Sequence, residues 1–221
     1  MDDSITPSEF HEAEGAQDWR VIGDGACSFF QTGSFSESAR FVAALGAIDG
    51  VEAHPPKVDI RDDGVTVRLL TTEDGYYGMS ARDLDLARRI SAAASAMGLT
   101  ADPSDVQSIL VIPGATDTSA VMPFWHAALG YVPRIDTPDE DLVDPRDRGP
   151  GFWFEGMDEP RGDGGGSIHI AVWVPAEGGE ARVKAALDAG GRVVRDFGPS
   201  WWTLADAAGN ECDVSTIRGR D

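Results

Sequence analysis

The chain has 221 residues, 42% of them apolar, and a formal net charge of −20, so it can bury a sizeable core. No apolar run approaches a membrane span, and the charge argues against nucleic acid and anionic lipid as partners, because a polyanion is repelled. The acidity has two readings, a solvated surface or a cleft attracting a cationic or metal-bound ligand, and the distant Cys27 and Cys212 read as two unpaired thiols.

Residues 1–18 are acidic and without periodicity, with Asp2, Asp3, Glu9, Glu12 and Glu14 among them, and read as a flexible tail. They carry neither a basic n-region nor an apolar h-region, so a cytoplasmic protein is expected. Structure is expected to begin near Trp19. Ala26–Thr32 has a strand's composition, and Ser36–Ile48 places Phe41, Leu45 and Ile48 at helical spacing before Gly50. His54 then stands against Pro55 and Pro56 ahead of two alternating runs, Val58–Ile60 and Val65–Leu69, joined by a predicted two-residue turn at Asp63-Gly64. A helix starts at Ser80 with Asp83 placed to cap it, and Leu86, Ile90, Ala93 and Met97 form its apolar stripe. Residues 19–100 are therefore expected to form a small α+β domain with helices on one face of an antiparallel sheet, and 101–105 a linker.

Residues 106–221 repeat themselves. Ile109–Gly114 reads as a strand, Ser119–Gly130 as a helix, and "YVPRI" and "GFWFEG" as further strands. Ile168–Pro175, Glu180–Gly191, "RVVRD", "WWTLAD" and "ECDVST" give the same order about 60 residues later, the pattern of a duplicated βαβββ module. One module leaves an open sheet edge, so two are expected to pair. Residues 136–150 read as an acidic, proline-rich loop and 159–167 as a flexible joint. Trp125 is expected in the core, His126 on a helix surface, and one of Trp201 and Trp202 facing in with the other facing out.

The run "HPPKVDIRDDGVTVRLLTT" followed by "GMSARDLDLARRI" resembles the pterin-4a-carbinolamine dehydratase family over about residues 19–97. That resemblance implies a hydro-lyase acting on a pterin carbinolamine. Its first active-site histidine falls on His54 and its helix-start aspartate on Asp83, while Pro55 stands at the second histidine and Thr72 or Glu73 at the third. Losing water from a carbinolamine needs a proton given to the leaving hydroxyl and another taken from the neighbouring ring nitrogen, and imidazole suits both. His54, Asp83 and Glu73 are thus the candidate catalytic residues, with Pro55, Pro56, Thr72, Trp201 and Trp202 as candidate contacts to a pterin-like or flat aromatic ligand. The alternative is that His54 is a turn residue.

The duplicated module, "FWHAALGY" and "LADAAGNECDV" are similar to the vicinal-oxygen-chelate superfamily, which includes glyoxalases, ring-cleaving dioxygenases and bleomycin-resistance proteins, over about residues 106–217. The resemblance implies candidate metal ligands at Gln107, Glu155, His169 and Asp213, with Glu211 on the face of Asp213. Such a set suits Zn²⁺, Ni²⁺, Mn²⁺ or Fe²⁺; the alternative is a metal-free small-molecule cleft. Three functions follow: a dehydratase, a metal-dependent isomerase, lyase or oxygenase, or a protein that binds flat small molecules without chemistry. Both families pair sheets between subunits, so a homodimer is expected.

Overall fold

The computed structural model describes residues 3–73, 75–159, 168–205 and 211–219, and divides into two compact units between Val106 and Gln107. The expected joint at 159–167 and the "AGN" loop lie almost wholly outside the described residues.

The first unit runs α1 (Pro7–Glu12), β1 (Arg20–Ile22), β2 (Gly25–Gln31), α2 (Phe35–Gly46), a 3₁₀ turn (Val51–Ala53), β3 (Lys57–Ile60), β4 (Gly64–Leu69), β5 (Thr71–Glu73), β6 (Tyr76–Gly78), α3 (Ala81–Ala96) and β7 (Thr100–Ala101). An antiparallel sheet in the order β1-β2-β4-β3 is extended by β7 on β2, while β5 and β6 form a separate hairpin. Helices α2 and α3 pack against each other, with Phe41, Leu45, Leu86 and Ile90 buried along with Val65, Val67 and Leu69 of β4. Trp19, Phe30 and Phe41 meet edge to face, at 5.9 and 5.1 Å between ring centres, and the Trp19 indole donates to Ser91 Oγ at 3.0 Å. The apolar stripe of α3 runs through Leu86, Ala87, Ile90 and Ala94 rather than Ala93 and Met97.

Three expectations are corrected here. The segment 1–18 is not a loose tail over its described part. Thr6 and Glu9 form a capping box at the start of α1, Phe10 is fully buried, and His11 Nε2 accepts the Val21 N–H at 3.1 Å. The segment 101–105 is not purely a linker, because Ala101 pairs with Phe30. The hairpin turn sits one residue earlier than Asp63-Gly64: Arg61 N–H donates to the Gly64 carbonyl at 2.8 Å, leaving Asp62 and Asp63 as the turn. Gly64 is required for packing instead, since a Cβ there would lie 2.3 Å from the Phe29 ring and 2.7 Å from the Phe30 carbonyl oxygen.

The second unit runs β8 (Ser108–Ala115), α4 (Thr118–Leu129), β9 (Val132–Pro133), β10 (Asp141–Val143), β11 (Gly151–Trp153), β12 (Glu155–Gly156), β13 (Ile168–Trp173), α5 (Gly179–Asp188), β14 (Arg192–Phe197), β15 (Trp201–Ala205) and β16 (Glu211–Ser215). Strand β10 lies within the stretch expected as loop. The order is β14-β15-β16-β13-β8-β11-β10-β9, with β12 also on β8. In each module the first strand runs parallel to a late one, β8 to β11 and β13 to β16. The modules join through the antiparallel pair β8–β13, each covering the other's open edge. Val174, Val183, Trp202, Leu204 and Val214 form the core beneath α5, and Met122, Leu142, Phe152 and Phe154 a second cluster on which Val121 and Trp125 of α4 pack.

Two substitutions test this packing. Phe10→Ala is expected to destabilise the first unit by about 3–5 kcal/mol in chemical denaturation, whereas a detached tail gives no change. Gly64→Ala is expected to lose about 1–3 kcal/mol through the Phe29 clash, where a glycine needed only for the turn would tolerate alanine.

Candidate active site

Gly50, with φ of 76°, opens the 3₁₀ turn, and His54 ends it at φ −150° and ψ 69°, outside the helical region that the following proline disfavours. This turn sends the His54 ring toward the start of α3. There His54 Nε2 lies 2.7 Å from Asp83 Oδ1. Asp83 is fully buried, the third residue of α3, and the reciprocal partner of Ser80 in a capping box. Its Oδ2 accepts the Ser80 N–H at 2.8 Å and lies 2.8 Å from Thr71 Oγ1 and 3.0 Å from Ser80 Oγ, with those two hydroxyls 2.7 Å apart. The N-terminal end of the helix dipole adds to the stabilisation of this carboxylate. Because the carboxylate accepts, the hydrogen-bond network assigns the imidazole proton to Nε2 and leaves Nδ1 as the basic nitrogen.

A cleft of ≈330 Å³ opens beside this pair, between the turn (Val51, Ala53, His54) and one face of α3 (Arg82, Asp85, Arg89). The i, i+3, i+7 spacing puts the last three on one side of the helix. Arg89 bonds Asp85 at 2.8 Å and the Asp49 carbonyl at 2.5 Å. Arg82 is clamped by Glu73 at 2.5 Å, with Asp3 at 3.3 Å.

The structure therefore brings His54 and Asp83 together and sets the other expected residues of this unit aside. Glu73 is exposed and engages Arg82, and it does not line the cleft. Pro55 and Thr72 are exposed, and neither they nor Pro56 lines the cleft. Strand alternation explains Thr72: its neighbour Thr71 faces in and binds Asp83, so Thr72 faces out. Thr71, Arg82, Asp85 and Arg89 were not among the expected site residues. The helical spacing of the last three was the available signal.

In the second unit the expected ligand set does not assemble. His169 Nε2 is 3.2 Å from Asp213 Oδ2, so the imidazole nitrogen is already engaged with a carboxylate. Gln107 is exposed, just before β8, and its side-chain oxygen faces Arg182 Nη1 at 3.4 Å. Glu155 and Glu211 act on His169 through charge, yet among the described residues no three His, Cys, Asp or Glu side chains gather as metal ligands. The residues present do not fit a bound metal ion. Trp202, expected as a ligand contact, is instead a core residue packed with Val174, Val183, Leu204 and Val214. Trp201 is partly exposed and stacks on Phe197, 4.4 Å between ring centres at 24°.

The family model described as Pterin 4 alpha carbinolamine dehydratase matches residues 3–93, and the one described as Glyoxalase-like domain matches residues 110–215. A protein of Natronomonas pharaonis named "Putative pterin-4-alpha-carbinolamine dehydratase" is 33% identical over 89 residues, 40% of this chain and 94% of that protein. A solved glyoxalase/bleomycin resistance protein/dioxygenase superfamily member from Vibrio splendidus 12B01 is 15% identical, with a TM-score of 0.32, covering 50% of this chain and 99% of its own. The chain belongs, through its first unit, to the pterin-4a-carbinolamine dehydratase family, and its second unit is similar to a glyoxalase-like domain over residues 110–215.

The His169–Asp213 pair has a pH signature. The hydrogen bond that His169 donates to Asp213 raises the imidazole above its ordinary 6.5 despite burial, with added pull from the charges of Asp213, Glu155 and Glu211. A raised histidine contributes stability that is fully present below its unfolded value and is lost as pH rises through the folded one. Thermal melts of the second unit are thus expected to fall as pH is raised from about 6 toward the alkaline side, with Asp213→Asn flattening that dependence.

Proposed function

We propose that the first unit is a hydro-lyase of the 4a-hydroxytetrahydrobiopterin dehydratase type, with His54 as its proton-transfer group. The observation that carries this reading is the 2.7 Å His54–Asp83 contact at the wall of a cleft. In this reaction His54 Nδ1 takes the proton from the ring nitrogen beside the carbinol carbon. The nitrogen lone pair forms the C=N bond, the C–O bond breaks, and the imidazolium returns the proton to the departing hydroxyl as water. Asp83 holds the ring in place and stabilises the charge it carries between the two transfers.

A second reading, pterin binding without turnover, is favoured by Pro55 standing where the resemblance puts the family's second histidine, and Thr72 or Glu73 where it puts the third. Under either reading the glyoxalase-like unit is a small-molecule domain whose described residues gather no set of three metal ligands. We read the chain as pairing with a second copy of itself, because β3 and β14 are the end strands of their sheets among the described residues.

The purified chain is expected to dehydrate 4a-hydroxytetrahydrobiopterin above the spontaneous rate, and His54→Ala to lose about a hundredfold, the scale of one general acid–base group. No turnover with retained pterin binding moves the assignment to the second reading. Neither turnover nor binding overturns both.

A further inference from the structure

The N-terminal segment ahead of α1 is the feature of the first unit that the proposed chemistry has not used. Its backbone runs antiparallel to the residues that start α3. Ala81 N–H donates to the Asp3 carbonyl at 2.8 Å, Ile5 N–H donates to the Met79 carbonyl at 3.0 Å, and Ser4 bridges Ser80 between them. Ser80 is the residue whose N–H and hydroxyl hold Asp83. The Asp3 carboxylate also reaches Arg82 Nε at 3.3 Å, on the cleft wall and immediately before Asp83 in the chain.

We propose that Asp3–Thr6 is part of the frame of the His54 site, with Asp3 and Ile5 as positioning residues; this rests on the reading of that site given above. The segment is itself held from behind. The Thr6–Glu9 capping box closes at 3.2 and 2.8 Å, Phe10 is fully buried, and His11 Nε2 receives the Val21 N–H. The two backbone hydrogen bonds made by Asp3 and Ile5 thus bracket Ser80, and Ser80 holds the carboxylate that aims His54. Without the strap, Ala81 N–H loses its acceptor in the first turn of α3, where no intrahelical partner exists, and Ser80 is free to drift. A drift of about 1 Å at a positioned group costs about a hundredfold in rate.

The variant Ile5→Pro removes the N–H that Met79 accepts while leaving the Asp3 carbonyl in place. It is compared, in the full chain, with His11→Ala, which removes the acceptor in α1 of the Val21 N–H and leaves the backbone hydrogen bonds of Asp3 and Ile5 in place, and with Asp3→Asn. Three readouts are followed: the melting temperature, the hydrogen-bonded Nε2–H proton resonance of His54, and the kcat and KM for dehydration. The strap predicts that Ile5→Pro loses the His54 resonance and about tenfold in kcat at unchanged KM, with Asp3→Asn intermediate, while His11→Ala lowers the melting temperature and leaves the other readouts alone. If Ile5→Pro and His11→Ala both change only the melting temperature, or if the two variants are indistinguishable, the strap is structural and the inference fails. Should the wild-type chain show the resonance without turnover, the dehydratase reading fails and the resonance alone still judges the strap. A wild-type chain lacking the resonance overturns the inference, because there is then no aligned His54 to position.

Discussion

The first unit is organised around one buried carboxylate. Asp83 is fully buried, and such a group is tolerable only when its lone pairs are met by donors. Its partners come from three places in the chain: His54 from the 3₁₀ turn, Thr71 from β5, and Ser80 from the residue before α3. Meeting that one requirement fixes the turn, the strand and the helix start relative to one another. Removing one of these hydrogen-bond partners leaves a buried acceptor unmet at a cost of about 1–3 kcal/mol, so the residues that aim the histidine are also those the fold cannot lose cheaply.

Two histidine–aspartate pairs among the described residues differ in what surrounds them. His54 and Asp83 sit beside an open cleft whose wall carries Arg82, Asp85 and Arg89. His169 and Asp213 lie on adjacent strands β13 and β16, side chains 11% and 14% exposed, with Glu155 and Glu211 adding charge. The first pair has a cleft in which to hold a substrate. The second engages the one imidazole on which a metal site in this unit would depend. Chemistry therefore concentrates in the first unit under the proposed reading, and the glyoxalase-like unit contributes a duplicated sheet with its own core.

Much of this was legible in the sequence because it follows from periodicity. The duplicated βαβββ order, the helices at 36–48 and 80–97 and the capping role of Asp83 all follow from apolar spacing and cap chemistry. The early helix was missed because it is only six residues long and too short for periodicity, although Thr6-Pro7 followed by Glu9 is a capping-box start that was there to be read. The hairpin turn was displaced by one residue because an Asp-Gly pair signals a turn, while here the glycine is demanded by the Phe29 ring across the sheet, a contact no local pattern records. The site divides in the same way. His54 and Asp83 were carried by a motif. Thr71 was missed in favour of its neighbour because a strand one residue out of phase turns the opposite face inward, and Glu73 was misplaced because Arg82 draws it away.

The central claim is that the cleft beside His54 is where a pterin binds. The most direct measurement is a titration of the full chain with 7,8-dihydrobiopterin, a pterin without the 4a-hydroxyl to lose, following the ring resonances of its histidines. The account predicts a saturable shift of the His54 ring with His169 unmoved. A shift confined to His169, or none at either, would contradict it.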